Sequence, residues 1–263
     1  MEYAIYLGTG AVAGILAGLL GVGGGLFIVP VLLFVLPISG VSSDSLMLIA
    51  VATSLATIVI TSISSVRAHH KRGAVQWSIF WRLTPGIVLG AWLGAFVADW
   101  LSNLVLTAFF GCAVILIGIQ MWFAKQPEQG NYQPGRIAYG SSGVVIGMIS
   151  AMIGIGGGSL TVPLLHYWRK PIVKAVATAA AGGLPIALAG TLGFVYTGWQ
   201  APNLPTMSLG YVYLPAAGLI LISSSLFAPL GAHWAHRVNA TVLKKIFAVF
   251  LILVGIKVLL GLY

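Results

Sequence analysis

Charge is what this chain has least of. Four Asp and Glu stand against thirteen Lys and Arg, and charged residues make only 6% of the 263. A soluble domain carries about 25%. So few charges cannot cover a globule in water, which excludes a soluble fold. With 59% hydrophobic residues, the chain reads as an all-α polytopic membrane protein. The scarcity of carboxylates leaves no pair for general acid–base work and no central carboxylate for proton coupling. No metal-ligand cluster or nucleophilic triad is evident, so no enzyme, cofactor or metal is expected. The single cysteine, Cys112, excludes an intrachain disulfide and is expected to be a small buried hydrophobe. A basic segment before the first apolar run is missing too, so the first helix is expected to insert uncleaved.

The net charge of +9 would suggest nucleic acid in a soluble protein. Here the cations cluster between apolar runs and set topology instead, so no nucleic-acid partner is expected.

Glycine is abundant, with 34 residues, and one glycine-rich stretch occurs twice. It is Gly21-Val22-Gly23-Gly24-Gly25-Leu26-Phe27-Ile28-Val29-Pro30 in one place and Gly154-Ile155-Gly156-Gly157-Gly158-Ser159-Leu160-Thr161-Val162-Pro163 in the other. Such clusters interrupt a helix, and an interruption within a membrane must lie where protein, water or ligand meets the bared backbone. The offset is constant: 154 − 21 = 133 and 163 − 30 = 133. Further matches follow in the same order. Ala50-Val51-Ala52-Thr53 pairs with Ala175-Val176-Ala177-Thr178, and Ile115-Leu116-Ile117-Gly118-Ile119 with Ile252-Leu253-Val254-Gly255-Ile256. Two repeats are expected, 1–123 and 136–263, joined by a polar linker at 124–135.

Each repeat divides into five apolar segments, for ten helices in all. In the first repeat these are 3–20, 26–36, 46–66, 79–98 and 104–123. Each glycine motif joins either two helices in series or a hairpin that returns to its own face. The stretch 67–72 reads as a basic loop and 197–209 as its uncharged counterpart. Arg169, Lys170 and Lys174 mark a second basic loop, facing the cation-free 38–45. Basic loops are cytoplasmic, so the two repeats are expected in opposite orientations, an inverted-topology duplication. Both termini then lie outside and the linker inside, in a multi-pass inner-membrane protein.

A helix starting after each glycine cluster offers unpartnered N–H groups and a positive dipole end. Inverted symmetry would bring two such ends together, with room for an anion between them. The candidate ligand residues are Gly23, Gly24, Gly25, Gly156, Gly157, Gly158 and Ser159, with Gly21, Pro30, Gly154 and Pro163 as the structural frame. Thr53, Ser54 and Thr178 are further candidates for substrate oxygens, although membrane hydroxyls also bond helix backbone. Close helix packing is the rival reading of the glycines, and the favoured one for Gly10, Gly14, Gly90 and Gly94. Arg82 and Lys257 read as helix-end cations that snorkel. His69, His70, His233 and His236 are placed near the inner face. The pattern 21–25 with Asp44 downstream imitates a dinucleotide loop, but no strand–turn–helix surrounds it.

The paired motifs 23–32 and 156–165 resemble the sulfite exporter TauE/SafE family of membrane anion permeases. The resemblance covers nearly the whole chain. It implies a secondary transporter of sulfur-containing anions such as sulfite, sulfoacetate and related organosulfonates, with export the expected direction. It also implies a site at the two glycine motifs. An anion channel of the same architecture, or a permease for another small organic anion, is the alternative. The coupling ion, proton or sodium, is left open, as is a homodimer. The bilayer and the anion are the expected partners.

Overall fold

The computed structural model describes residues 2–20, 24–38, 40–41, 43–123, 134–234 and 240–261. Ten α-helices account for nearly all of them. These are α1 Glu2–Leu20, α2 Gly25–Val35, α3 Leu46–Lys71, α4 Trp77–Trp100, α5 Asn103–Phe123, α6 Arg136–Ile153, α7 Gly158–Tyr167, α8 Ile172–Thr197, α9 Leu214–Trp234 and α10 Ala240–Gly261. Among the described residues, six helices are long and apolar enough to cross a membrane: α3, α4, α5, α6, α8 and, over Leu214–Gly231, α9. The expected ten helical segments are present.

α3 and α8 form the centre. From Met47 to Leu55 on α3, side chains are at most 5% exposed. The two helices run antiparallel: Gly183 lies beside Ser62 and Gly190 beside Leu55. The α8 face is largely alanine and glycine, which lets the axes approach. α5 and α10 are likewise antiparallel, with Leu259 at Gly111 and Ile252 at Gly118.

Two other pairs cross with their backbones in contact. On α4, Gly90 and Gly94 face the α6 backbone at Val144 and Met148, and Gly143 of α6 faces Leu83. A methyl group at Gly94 would lie 2.6 Å from the Met148 carbonyl. α1 meets α9 in the same way, Gly10 and Gly14 against Ile220 and Ser224, and Gly231 against Ile15. The i, i+4 spacing puts these glycines on one stripe of each helix. Packing therefore explains Gly10, Gly14, Gly90 and Gly94.

Two expectations are corrected. Residues 67–71 are not a loop but the last turns of α3, which ends at Gly73 with φ +63°. No helix breaker precedes that glycine, and cations suit a helix C-terminus. Cys112 is exposed. The buried stripe of α5 is Leu106, Phe110, Val114 and Ile117, which turns Cys112 outward. The uncharged stretch after α8 ends in a small hairpin, β1 Ser208–Leu209 against β2 Val212–Tyr213. Gly210, at φ +55°, supplies the tight turn.

The hairpin is tied down on three sides. The Tyr213 N–H donates to Thr53 Oγ1 (3.0 Å), the Tyr211 N–H to the Phe194 carbonyl (3.3 Å), and the Tyr211 hydroxyl to Asp99 Oδ1 (2.6 Å). Burial first, then the hydrogen bond and charge of Asp99, push the Tyr211 phenol well above its ordinary range.

The glycine motif of the second half makes a hairpin. Tyr139 in the first turn of α6 packs edge-on against Trp168, just past α7, with ring centroids 4.9 Å apart. α7 thus returns the chain to the end where α6 began. Arg82 lies over the same Tyr139 ring at 5.5 Å.

Candidate functional site

The glycine turn between α6 and α7 is specified by backbone chemistry. Gly154 takes φ +74°, and its N–H bonds the Ala151 carbonyl while Ile155 N–H bonds Ser150. This is the paired-bond closure of a helix in which the left-handed residue is normally glycine. Gly157, at φ +69°, then caps α7. Its carbonyl accepts from Leu160 and Thr161, as the Gly24 carbonyl accepts from Phe27 and Ile28 at the start of α2. Neither helix start carries a side-chain cap. Pro30 and Pro163 sit inside α2 and α7. Without an N–H, each leaves the carbonyl four residues back without its usual helical donor.

The two motifs abut. A Cβ on Gly25 would lie 2.6 Å from the Gly154 carbonyl oxygen, 3.2 Å from Ile155 Cα and 2.7 Å from Ile58 Cδ1. Gly156 faces Ile58, and its carbonyl touches Gly183 of α8. Ser54 Oγ donates to the Gly154 carbonyl at 2.8 Å. So α2, α7, α3 and α8 converge on one buried point, and a side chain at Gly25 or Gly183 would not fit there.

The two sides of that point differ. Ser159 is 8% exposed and Thr161 1%, and neither side-chain oxygen has a hydrogen-bond partner. Helix side chains lean toward the N-terminus, and Thr161 Oγ1 lies 3.7 Å from where a Gly157 Cβ would be. The matched residues on α2 are Leu26 and Ile28, both fully buried. Each side thus offers a helix N-terminus, flanked by hydroxyls at α7 and by an aliphatic wall at α2.

Of the candidates read from sequence, Gly25, Gly154, Gly156, Gly157, Gly158, Ser54 and Ser159 come together here, with Gly24 capping α2. Gly21 and Gly23 lie outside the described residues. Thr53 anchors the β-hairpin. Thr178 accepts the Gln76 N–H at 3.0 Å, on the stretch of α8 that packs against Val75. Thr161, Ile58 and Gly183 belong to the point but were not among the candidates. Comparing the two copies flags Thr161, a hydroxyl where the first copy has isoleucine. Ile58 and Gly183 carry no signal in the sequence, because only the crossing of α3 with α8 brings them in.

The family model described as "Sulfite exporter TauE/SafE" matches residues 6–258. The chain belongs to the TauE/SafE family. A probable membrane transporter of Haemophilus influenzae is 39% identical over 255 residues, covering 96% of each chain. Another from Methanocaldococcus jannaschii is 27% identical over 264 residues, with 96% of this chain and 93% of that one covered. A third, from Bacillus subtilis, is 25% identical over 280 residues with 98% of each covered. No solved structure matches. Membership in the TauE/SafE family, with six membrane-length helices among the described residues, makes this a multi-pass membrane transporter.

Proposed function

We propose that the protein is a secondary transporter of small sulfur-containing anions (sulfite, sulfoacetate or related organosulfonates), working in the export direction. The anion binds where the two glycine motifs abut. The observation that carries this is the pair of buried hydroxyls without partners, Ser159 and Thr161, at the start of α7. A buried unpaired hydroxyl is costly, and an oxyanion would satisfy both. The N-terminal dipole of α7 adds to the attraction.

The repeats 1–123 and 136–263 act as an inverted pair, with both termini outside the inner membrane and the linker inside. The antiparallel course of α3 with α8 and of α5 with α10 supports this, since these helices hold matched positions in the two halves. So does the gathering of cations at one end, where the end of α3 meets the start of α8. Access to the site then alternates between the two faces. A proton or sodium ion as driver is untouched by this reading.

Flux in proteoliposomes tests it. Labelled sulfite and organosulfonates should enter saturably, and an opposing anion on the far side should accelerate exchange. Absence of saturable flux for every anion offered rejects transport at this site. Flux that is linear in concentration, without counter-flow, favours the channel alternative.

A further inference from the structure

The hairpin α6/α7 is splayed, and its outer side holds an open apolar groove of about 330 Å³. Val145, Ile149, Leu160 and Leu164 line it, with Ser141 and Ser142 on its polar rim. The matching place on α1/α2 is occupied by the chain itself. There Phe27 packs against Phe250 of α10, centroids 5.6 Å apart, and Phe250 stacks on Phe247. The residue matched to Phe27 is Leu160 (160 − 27 = 133), and that matched to Phe250 is Ala113 (250 − 113 = 137). Of these two smaller residues, Leu160 lines the groove, so one ring of the first half has an aliphatic side chain in its place there. Val145 is 54% exposed, so the groove faces outward from the bundle.

Both helices that form the groove end at the same place, because Trp168 packs on Tyr139. Arg136 begins α6 and lies five residues before Ser141; Arg169 lies five residues after Leu164. Both are exposed, and Arg82 lies over Tyr139 from α4. Beyond the two serines, the hairpin's open end thus carries two exposed arginines, Arg136 and Arg169, and Arg82 lies over Tyr139 at the same end.

We propose that this groove holds an anionic phospholipid. One acyl chain lies along Val145, Ile149, Leu160 and Leu164. The phosphate meets the arginines at the basic end. The charge at that end selects a lipid over a second copy of this chain, whose matching surface is equally basic. The site is separate from the glycine motifs and does not depend on which anion is carried.

Native mass spectrometry of the full chain in detergent tests this, with dioleoyl phosphatidylglycerol, dioleoyl phosphatidylcholine and free glycerol phosphate as probes. The wild type should retain phosphatidylglycerol at about tenfold lower concentration than phosphatidylcholine. Val145→Phe and Leu160→Phe, which restore bulk to the groove, should each abolish retention. Val145 is exposed, so that variant keeps the test sound if Leu160→Phe fails to fold. The double change Arg136→Gln with Arg169→Gln should keep binding but erase the preference. Equal retention by all variants, or equal capture of glycerol phosphate and the lipid, overturns the proposal. So does a wild-type dimer that Val145→Phe dissolves while lipid retention stays the same.

Discussion

At the scale of single residues, the hydroxyls divide into those with work inside the fold and those without. Ser54 and Thr57 donate to backbone carbonyls, and Thr53 holds the β-hairpin. Ser159 and Thr161 do none of this. Replacing them therefore separates stability from transport. Thr161→Val keeps the shape and removes an unsatisfied group, so its melting temperature should equal or exceed that of the wild type. If the anion uses that hydroxyl, transport KM should rise about tenfold or more, the loss of one hydrogen bond to a charged group. Ser159→Ala should behave alike. Thermal unfolding and proteoliposome flux on the same preparations decide it: unchanged flux in both variants removes the hydroxyls from the site. Sequence reading found Ser159 through its motif but set Thr53, Ser54 and Thr178 beside it. Those three are intramembrane hydroxyls as well. What distinguishes them is a partner from a distant segment, such as Tyr213 for Thr53, 160 residues away.

At the scale of elements, helix number was legible because apolar runs of membrane length announce themselves. Helix ends were less so. The end of α3 carries the charges that usually mark a loop, yet its residues tolerate helix and only Gly73 stops it. The β-hairpin left no trace in the pattern, since two-residue strands are too short to show alternation. The course of the second glycine motif, back toward its own face, depended on one aromatic contact between Tyr139 and Trp168. The Tyr211–Asp99 bond gives the β-hairpin a pH dependence. The folded state holds the phenol neutral beyond its ordinary ionisation near pH 10, about the value it has in an unfolded chain. Its contribution is therefore complete below about pH 10 and is lost as pH rises beyond that. Thermal unfolding from pH 7 to 11 should show the wild type losing stability at the alkaline end faster than Tyr211→Phe. Parallel curves would mean that the hydroxyl–carboxylate bond does not form.

At the scale of the whole molecule, the unequal charge of the two ends fixes an expected topology. Cys112 is the one cysteine in the chain, so Cys112→Ser clears the background for site-directed labelling. Single cysteines at Arg72 and at Asn203, in the stretch leading to the β-hairpin, should then react from opposite sides of the membrane. A membrane-impermeant maleimide added to whole cells should label position 203 and spare position 72 until the cells are opened. The reverse pattern would invert the assignment of faces, and labelling of both from one side would break the inverted-repeat reading. The recurring motifs were plain in the sequence; which helix would lie against which was not. Glycines spaced by four predict that some helix comes close, but they do not name it.

The glycine crossings carry a mechanical consequence. α4 of the first half touches α6 of the second backbone to backbone, and α1 of the first half touches α9 of the second. Such contacts have no side-chain layer between them to slide or deform. Each crossing behaves as a weld, and both welds join the two halves of the sequence. Any motion that swung one half away from the other would tear both. A motion that carries α4 with α6 as one strut, and α1 with α9 as the other, tears neither. A motion that spares both contacts would therefore move hybrid levers, each made of one helix from either half of the chain.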